Sequence, residues 1–422
     1  MNTRNPDYYP AIARRLICYY WVPAILLILC PNLKGCSSPE PEFLPPIERQ
    51  APWVSAYLAA WQHDAGTPYS NWGRITVDDI PWNDFTHLIY FALNIAPDGT
   101  PGLPLEPEKR SNFNSDRLVD ITAAAHARDK MILYSVGGAG NYHGFQSAIK
   151  KPHRQTLIAT LTDLIQTYGF DGVDIDMEPI HSSDFKNYEA FIRELSVVFD
   201  TMLTARGKRP LLTIAALKGM EVFKLYSRVQ DLVDQINIMT YDMAMPWRGW
   251  HAWHNSALYS SGLTFRRNRR EVSSVDQKVH EALKAGLKRE KIGIGIGFYG
   301  YVWHGVHLEE TWATWPAENL SIIERRGGVP QFELQQRFPL GSAKWDDRAK
   351  TPYLNLMHPK LFVTFENDAS VTEKIKYVHD QGLGGVIIWE IGADILDENG
   401  YSDTSLIKAT SRAEKYFFFH QK

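Results

Sequence analysis

Four carboxylates fall within eight residues in the segment Asp171-Gly172-Val173-Asp174-Ile175-Asp176-Met177-Glu178. Successive side chains of a strand point to opposite faces. Asp174, Asp176 and Glu178 therefore share one face and Val173, Ile175 and Met177 the other, with Asp171 out of phase with the acids. Like charges a few ångströms apart raise one another's pKa, so a confined column of three acids holds a proton near neutrality. That condition suits a general acid, with Glu178 protonated at the rim, Asp176 sharing its proton and Asp174 buried below both. A calcium site would need a DxDxDG-type loop, which is missing here, and a solvated acidic face would not be interleaved with apolar residues.

The elements that must position this column are legible as apolar runs bounded by breakers: Trp53 to Trp61, Thr86 to Ile95, Met131 to Gly137 and Gly172 to Glu178, then Pro210 to Ala216, Gln235 to Asp242, Lys291 to Tyr299 and Gly384 to Glu390. Between most of them lie helical patterns with start signals: Ser115 before Asp116 to Arg128, Pro152 opening a run to Tyr168, and Ser274 before Val275 to Leu287. Eight nearly continuous apolar strands alternating with helices predict an α/β fold, a closed (β/α)8 TIM barrel. A doubly wound open sheet is the rival, but Gln62-His63-Asp64-Ala65-Gly66 stands where its Gly-rich phosphate loop would be. In a barrel the apolar face of the acidic strand suits the helices, so the acids face inward and Glu178 lies at the catalytic, C-terminal end. The stretch before the eighth strand is longer than a crossover helix needs. It predicts a small α+β insertion, roughly His304 to Phe362, carrying Trp312, Trp315, Trp345 and Tyr353 to wall the site.

Composition excludes other classes. With 44% apolar and 22% charged residues the chain can bury a large core, and a net charge of −3 argues against nucleic acid as a main partner. All three cysteines, Cys18, Cys30 and Cys36, lie at the start, so the body folds without a disulfide or thiolate metal site. Arg14 and Arg15 before the short apolar run Leu16 to Cys30 read as a signal peptide over residues 1–36. Leu33-Lys34-Gly35-Cys36-Ser37 resembles the lipobox of bacterial lipoproteins, in which such a cysteine is acylated; plain cleavage and an uncleaved anchor are the alternatives. Residues 37–52 contain five prolines and form a linker, leaving 53–422 as the barrel.

The stretch Asp171 to Glu178 resembles the DxxDxDxE signature of the family 18 glycoside hydrolases, the chitinases and their relatives. Other motifs agree in chain order. Ser135-Val136-Gly137-Gly138 is similar to the third-strand SxGG, Met239-Thr240-Tyr241-Asp242 to the sixth-strand MxYD, and Gly384 to Glu390 to the eighth strand with Trp389. Lys344-Trp345-Asp346-Asp347 and Thr351-Pro352-Tyr353-Leu354 resemble the chitinase-branch insertion.

The resemblance implies retaining hydrolysis of β-1,4-linked N-acetylglucosamine polymers, in which the sugar's own acetamido group attacks the anomeric carbon. Glu178 would be the acid and base, Asp176 would hold the acetamido N–H, Asp174 would tune Asp176 and Tyr241 would align the carbonyl. Asp242, Trp389, Tyr57, Gly137, Gly138, Met239 and Trp247 are the expected substrate contacts, Trp389 as the apolar floor. Asp242 is out of phase with Tyr241, so its contact requires the strand to end or bend there. Ordinary barrel packing is the other use for Tyr57. The loop Pro246 to Tyr259 adds Trp247, Trp250 and Trp253 as stacking surfaces or as a self-packed cluster, and His251 and His254 read as polar loop residues rather than metal ligands.

Gly297, Tyr301 and Met177 depart from the family, which commonly shows proline, arginine and tryptophan there, and Ala139 and Gly140 leave the rim after SxGG open. The expectation is an exported, monomeric chitinase-like enzyme without cofactor or metal, its partner chitin or another N-acetylglucosamine oligosaccharide, touching membrane only through its leader or lipid. An endo-β-N-acetylglucosaminidase of N-glycans or peptidoglycan, and a non-catalytic chitin-binding lectin, are the alternatives. The intact Glu178 argues against the lectin.

Overall fold

The computed structural model describes residues 51–63, 75–102, 115–244, 252–264, 269–305, 328–394, 396–397 and 400–419. Eight parallel strands form the barrel: β1 (Trp53–Ala59), β2 (His87–Ile95), β3 (Met131–Gly137), β4 (Gly172–Asp176), β5 (Leu211–Ala216), β6 (Gln235–Ile238), β7 (Ile292–Gly297) and β8 (Gly385–Trp389). Each pairs with its sequence neighbours, and β1 pairs with both β2 and β8, which closes the sheet. Around it run α1 (Ser115–His126), α2 (Tyr142–Ala148), α3 (Lys151–Tyr168), α4 (Phe185–Asp200), α5 (Met220–Val229) and α6 (Val275–Lys284). The short α7 (Gln331–Arg337) belongs to the insertion, and α8 (Asp368–Gln381) and α9 (Leu406–Glu414) flank β8 in sequence. The Ser274 hydroxyl caps α6 by accepting from Gln277 N at 3.2 Å, and Asn367 Oδ1 caps α8 from Ser370 N at 3.0 Å. Such caps satisfy backbone donors that have no partner inside the helix.

Alternation divides each strand between two environments. Outward residues such as Val173, Ile175, Ile236 and Ile238 are fully buried under the helices. Inward positions are largely polar: Ser55 Oγ donates to Gln235 Oε1 at 3.0 Å, and Asn237 accepts from the Trp53 indole at 2.9 Å. Each interior polar group must find a protein partner there, because burial without one costs free energy. Asp171 is excluded from this interior by its phase. Its Oδ2 accepts from His126 Nε2 at 3.0 Å and from Ile132 N at 2.9 Å, tying α1 and β3 to the start of β4.

Two strands end earlier than the apolar runs suggest. β4 stops at Asp176, placing Glu178 just beyond the strand, and β6 stops at Ile238, so Met239 to Asp242 lie in the connection above it. The seventh run divides at Phe298: β7 ends at Gly297, and Tyr299–His304 joins a second, antiparallel sheet. That sheet continues through Val329–Pro330, Lys344–Asp346, Thr351–Met357 and Lys360–Thr364, so it starts before His304 and ends after Phe362. Its own apolar core is Val302, Val329, Leu334, Leu354, Leu361, Val363 and Phe365.

A buried ion pair links the two sheets' surroundings. Lys374 Nζ on α8 donates to Glu366 Oε1 and, at 3.0 Å, to Ser256 Oγ, while Ser370 Oγ donates to Glu366 Oε2 at 2.6 Å. Removing one partner of a fully buried pair leaves an uncompensated charge. Lys374→Met is therefore expected to destabilise the protein by about 3–5 kcal/mol, read as a lowered thermal midpoint beside wild type.

Candidate active site

The acid column stands at the barrel axis as the alternation requires. Asp174 is fully buried and saturated by hydroxyls: Tyr57 donates to Oδ2 at 2.8 Å, Ser135 to Oδ2 at 3.0 Å and Thr213 to Oδ1 at 2.6 Å. Burial lifts its pKa and these three bonds pull against that rise. One turn of the pleat higher, Asp176 is buried, with no hydrogen-bond partner on Oδ1. Burial first, then the charges of Glu178 and Asp174, push the Asp176 carboxyl well above the usual carboxylate range. Glu178 is half-buried and hydrogen-bonds to Asp176 and to the Ala139 N–H. Its pKa is raised by burial, with Lys218 the leading opposing charge.

Backbone geometry lets β3 approach this column. At Gly137, φ is 108°, and a Cβ there would stand 2.1 Å from the Asp176 carbonyl oxygen. Only glycine fits. Gly138 N donates to that same carbonyl at 2.7 Å, so the Gly137–Gly138 pair braces the acidic strand.

The connection above β6 supplies the opposite wall. Tyr241 is 7% exposed, and its ring is 2.8 Å from where a Cβ on Gly295 would be, so the glycine in β7 makes room for the phenol. Asp242 adopts φ 53°, a left-handed conformation that turns its side chain out of strand phase. Its N–H donates to Asn255 Oδ1 at 2.9 Å, and Oδ1 accepts from Tyr299 at 2.6 Å and Tyr301 at 2.7 Å. Tyr301, the departure from arginine, thus serves Asp242 as a neutral donor. Met239 is 9% exposed and N-bonded to Ala216 O at 3.0 Å.

Across the opening lies an aromatic cluster. Trp389 is half-buried, with ring centroids 4.8 Å from Phe91, 5.5 Å from Tyr57 and 6.5 Å from Trp61. Beneath it, Glu390 is buried with Oε1 accepting from Gln62 at 3.0 Å, and burial pushes its pKa up to about 8. Among the described residues no group of three or more His, Cys, Asp and Glu side chains could hold a metal ion.

The structure therefore brings together Glu178, Asp176, Asp174, Tyr241, Tyr57 and Asp242 with Gly137, Gly138 and Met239, and sets Trp389 against Tyr57. Trp247, Trp250, His251, Trp312, Trp315 and Cys36 lie outside the described residues. Of the two uses expected for Trp253, the packed one is found: it is 2% exposed and its indole N–H donates to Ser273 O at 2.9 Å, which leaves no face for a sugar. His254 lies in a loop, as expected, and is buried there. It is buried against Asp346, with Nε2 to Oδ2 at 3.1 Å, because the segment 252–258 threads between barrel and insertion. Sequence reasoning missed Thr213, Asn255, Glu390 and Lys218. Thr213 shares the inward phase of β5, a signal available beforehand; Asn255 and Lys218 sit in connections, where alternation says nothing.

The model of glycosyl hydrolases family 18 matches residues 54–394. The chain belongs to that family. Family 18 relatives include chitinase B of Serratia marcescens, 29% identical over 327 residues, which are 64% of this chain and 65% of that one. Chitinase 1 of Aphanocladium album is 23% identical over 361 residues, 80% of this chain and 83% of that protein. The crystal structure of the Ostrinia furnacalis Group IV chitinase in complex with allosamidin superposes with a TM-score of 0.70 at 25% identity, covering 86% of this chain and 98% of the other.

The coupling of Asp176 to Glu178 makes a direct prediction for this family 18 site. Carbon-13 titration of the carboxyl groups is expected to show Asp176 holding its proton to a higher pH than an ordinary aspartate, since its folded pKa is raised. In Glu178→Gln a negative neighbour is lost, so the Asp176 titration should move to lower pH.

Proposed function

We propose that the protein is a chitinase, hydrolysing β-1,4-linked N-acetylglucosamine polymers with retention of configuration. Glu178 gives its proton to the glycosidic oxygen as that bond breaks, and the acetamido oxygen of the same sugar closes on the anomeric carbon to form an oxazolinium ion. Glu178, now a carboxylate, takes a proton from water as the water attacks that carbon and reopens the ring. The observation carrying this reading is the column itself. A protonatable Glu178 stands at the rim, and next to it a buried Asp176 keeps one oxygen without a protein partner, the acceptor an acetamido N–H needs. Asp174, already saturated by three hydroxyls, sets the height and charge of Asp176. Tyr241 holds the acetamido carbonyl, Asp242 takes a sugar hydroxyl and Trp389 floors the distorted ring, which presents C–H groups to an indole face.

The chitinase relatives support this substrate class over an endo-β-N-acetylglucosaminidase acting on N-glycans or peptidoglycan. The second sheet, which extends the wall beside Tyr241 and Asp242, suits a long polymer. A lectin would have no use for a carboxyl whose pKa burial raises beside a second buried acid. Residues 1–36 export the chain, Cys36 carries a lipid and residues 37–52 act as the tether of a monomeric enzyme. Among the described residues no helix is long and apolar enough to cross a membrane.

Chitin hexasaccharide is the deciding substrate. Wild type is expected to release short products first as β-anomers, and Glu178→Gln to lose activity by about 10²–10⁴-fold or more, followed by chromatography and proton NMR. α-Anomers, or equal turnover by the variant, would contradict the mechanism. Tyr301→Phe removes one donor to a charged acceptor and is expected to cost about tenfold in kcat/KM on the same substrate, with the fold unchanged by circular dichroism.

A further inference from the structure

Lys218 lies in the connection between β5 and α5, in the run Thr213-Ile214-Ala215-Ala216-Leu217-Lys218-Gly219, with no charged residue before it since Arg209. It does not point to solvent like an ordinary loop lysine. Its Nζ donates to the backbone carbonyl of Tyr241 and lies 6.0 Å from the centroid of the Tyr241 ring. Position on the connection after β5 puts it beside the ends of both β4 and β6, where Glu178 and Asp242 stand. An ammonium has three donors and no acceptor, and the carbonyl takes one of them.

The charge inventory around this ammonium is lopsided. Asp242 acts on it from the connection after β6 and Glu178 from the end of β4, and the Tyr241 ring lies beside it. Lys278 on α6 opposes the charge on Lys218 from the helix layer. Lys218 is in turn the leading cation acting on Glu178. Burial pulls its pKa below the usual lysine range, and Asp242 and Glu178 pull against that fall.

We propose that Lys218 is the charge-balancing residue of this site: pinned by the Tyr241 carbonyl, its ammonium faces both Glu178 and Asp242 and decides the pH at which Glu178 gives up its proton. Lys218 acts through Glu178, so it is a positioning residue and touches neither the scissile bond nor the anomeric carbon. It also couples two parts of the machinery, since the group that tunes the acid is the one that fixes the backbone carrying Tyr241 and Asp242. The role rests on the reading of Glu178 as the general acid.

The direction of the effect follows from charge. A cation favours the carboxylate, so removing it raises the pKa of Glu178; a general acid must be protonated, so the alkaline limb of activity moves to higher pH. The test compares wild type, Lys218→Met and Lys218→Arg in the kcat/KM-versus-pH profile for 4-nitrophenyl N,N′-diacetylchitobioside. In Lys218→Met the alkaline limb is expected about one pH unit higher, and Lys218→Arg is expected to keep the wild-type limb. A purely structural role would lower kcat/KM at every pH and leave the limb in place, and that outcome overturns the proposal. An equal shift in Lys218→Arg does so as well. Carbon-13 titration of Glu178 in the same proteins, without substrate, reads the charge effect directly. If wild type fails to cleave the glycoside, the proposed function is wrong, yet an upward-shifted Glu178 titration in Lys218→Met still supports the ammonium's influence, and an unshifted one refutes it. Should Lys218→Met not fold, as judged by near-ultraviolet circular dichroism, Lys218→Gln takes its place.

Discussion

The fold is organised around carboxyl groups that must be buried one above another at the centre of a barrel. Charge in such a place is costly unless it is shared, neutralised or hydrogen-bonded. At the level of Asp174 this is met by hydroxyls from three other strands, Tyr57 of β1, Ser135 of β3 and Thr213 of β5. Those contacts also fix where the four strands sit relative to one another. Asp176, one level up, has no comparable ring of donors and keeps a proton partner in Glu178 instead. The hydrogen-bonded state of the lower acid and the raised pKa of the upper pair thus follow the graded supply of hydrogen-bond donors along the barrel axis.

The insertion belongs to this arrangement as more than an outer wall. β7 feeds into the second sheet through Phe298, and the first residues of that sheet, Tyr299 and Tyr301, are the phenols that hold Asp242. Asn255 binds the Asp242 N–H while its own N–H reaches Thr364 Oγ1 at 2.9 Å, on the neighbouring strand of the same sheet. Asp242 is held in a left-handed conformation from two sides, one in the barrel connection and one in the insertion. A strained residue persists only where its surroundings over-determine it. Substitutions in the insertion can therefore alter how Asp242 is held.

Strand phase made the central part of the site readable before any coordinates. Asp174, Asp176 and Glu178 on one face, with Val173, Ile175 and Met177 on the other, required an interior acid column under any barrel model, and the interior position of Asp174 follows from period two alone. The same rule placed Asp171 outside, where it binds His126 and Ile132 N. Phase failed where strands stopped. β6 ends at Ile238, so the inward placement of Tyr241 is set by the turn above the strand and by the room that Gly295 leaves, neither of which has a periodicity. Density of aromatics left two uses open for a similar reason, since tryptophans in a loop look alike until packing decides that Trp253 faces inward.

What the sequence by itself determined was the alternating plan: eight apolar strands with helices between them, an acidic column on the fourth strand, and the family signature those acids belong to. These depend on local geometry, because pleat and helix periods act between near neighbours in the chain. Tertiary structure alone decided that Tyr57 reaches Asp174 across the barrel, which tyrosines hold Asp242, and that a lysine from the connection after β5 reaches the Tyr241 carbonyl. Those partners are separated by 23 to 117 residues where they meet across the barrel, and no local period carries information over such distances. Closure of the sheet, by pairing β1 with both β2 and β8, sets Tyr57 across the barrel from Asp174.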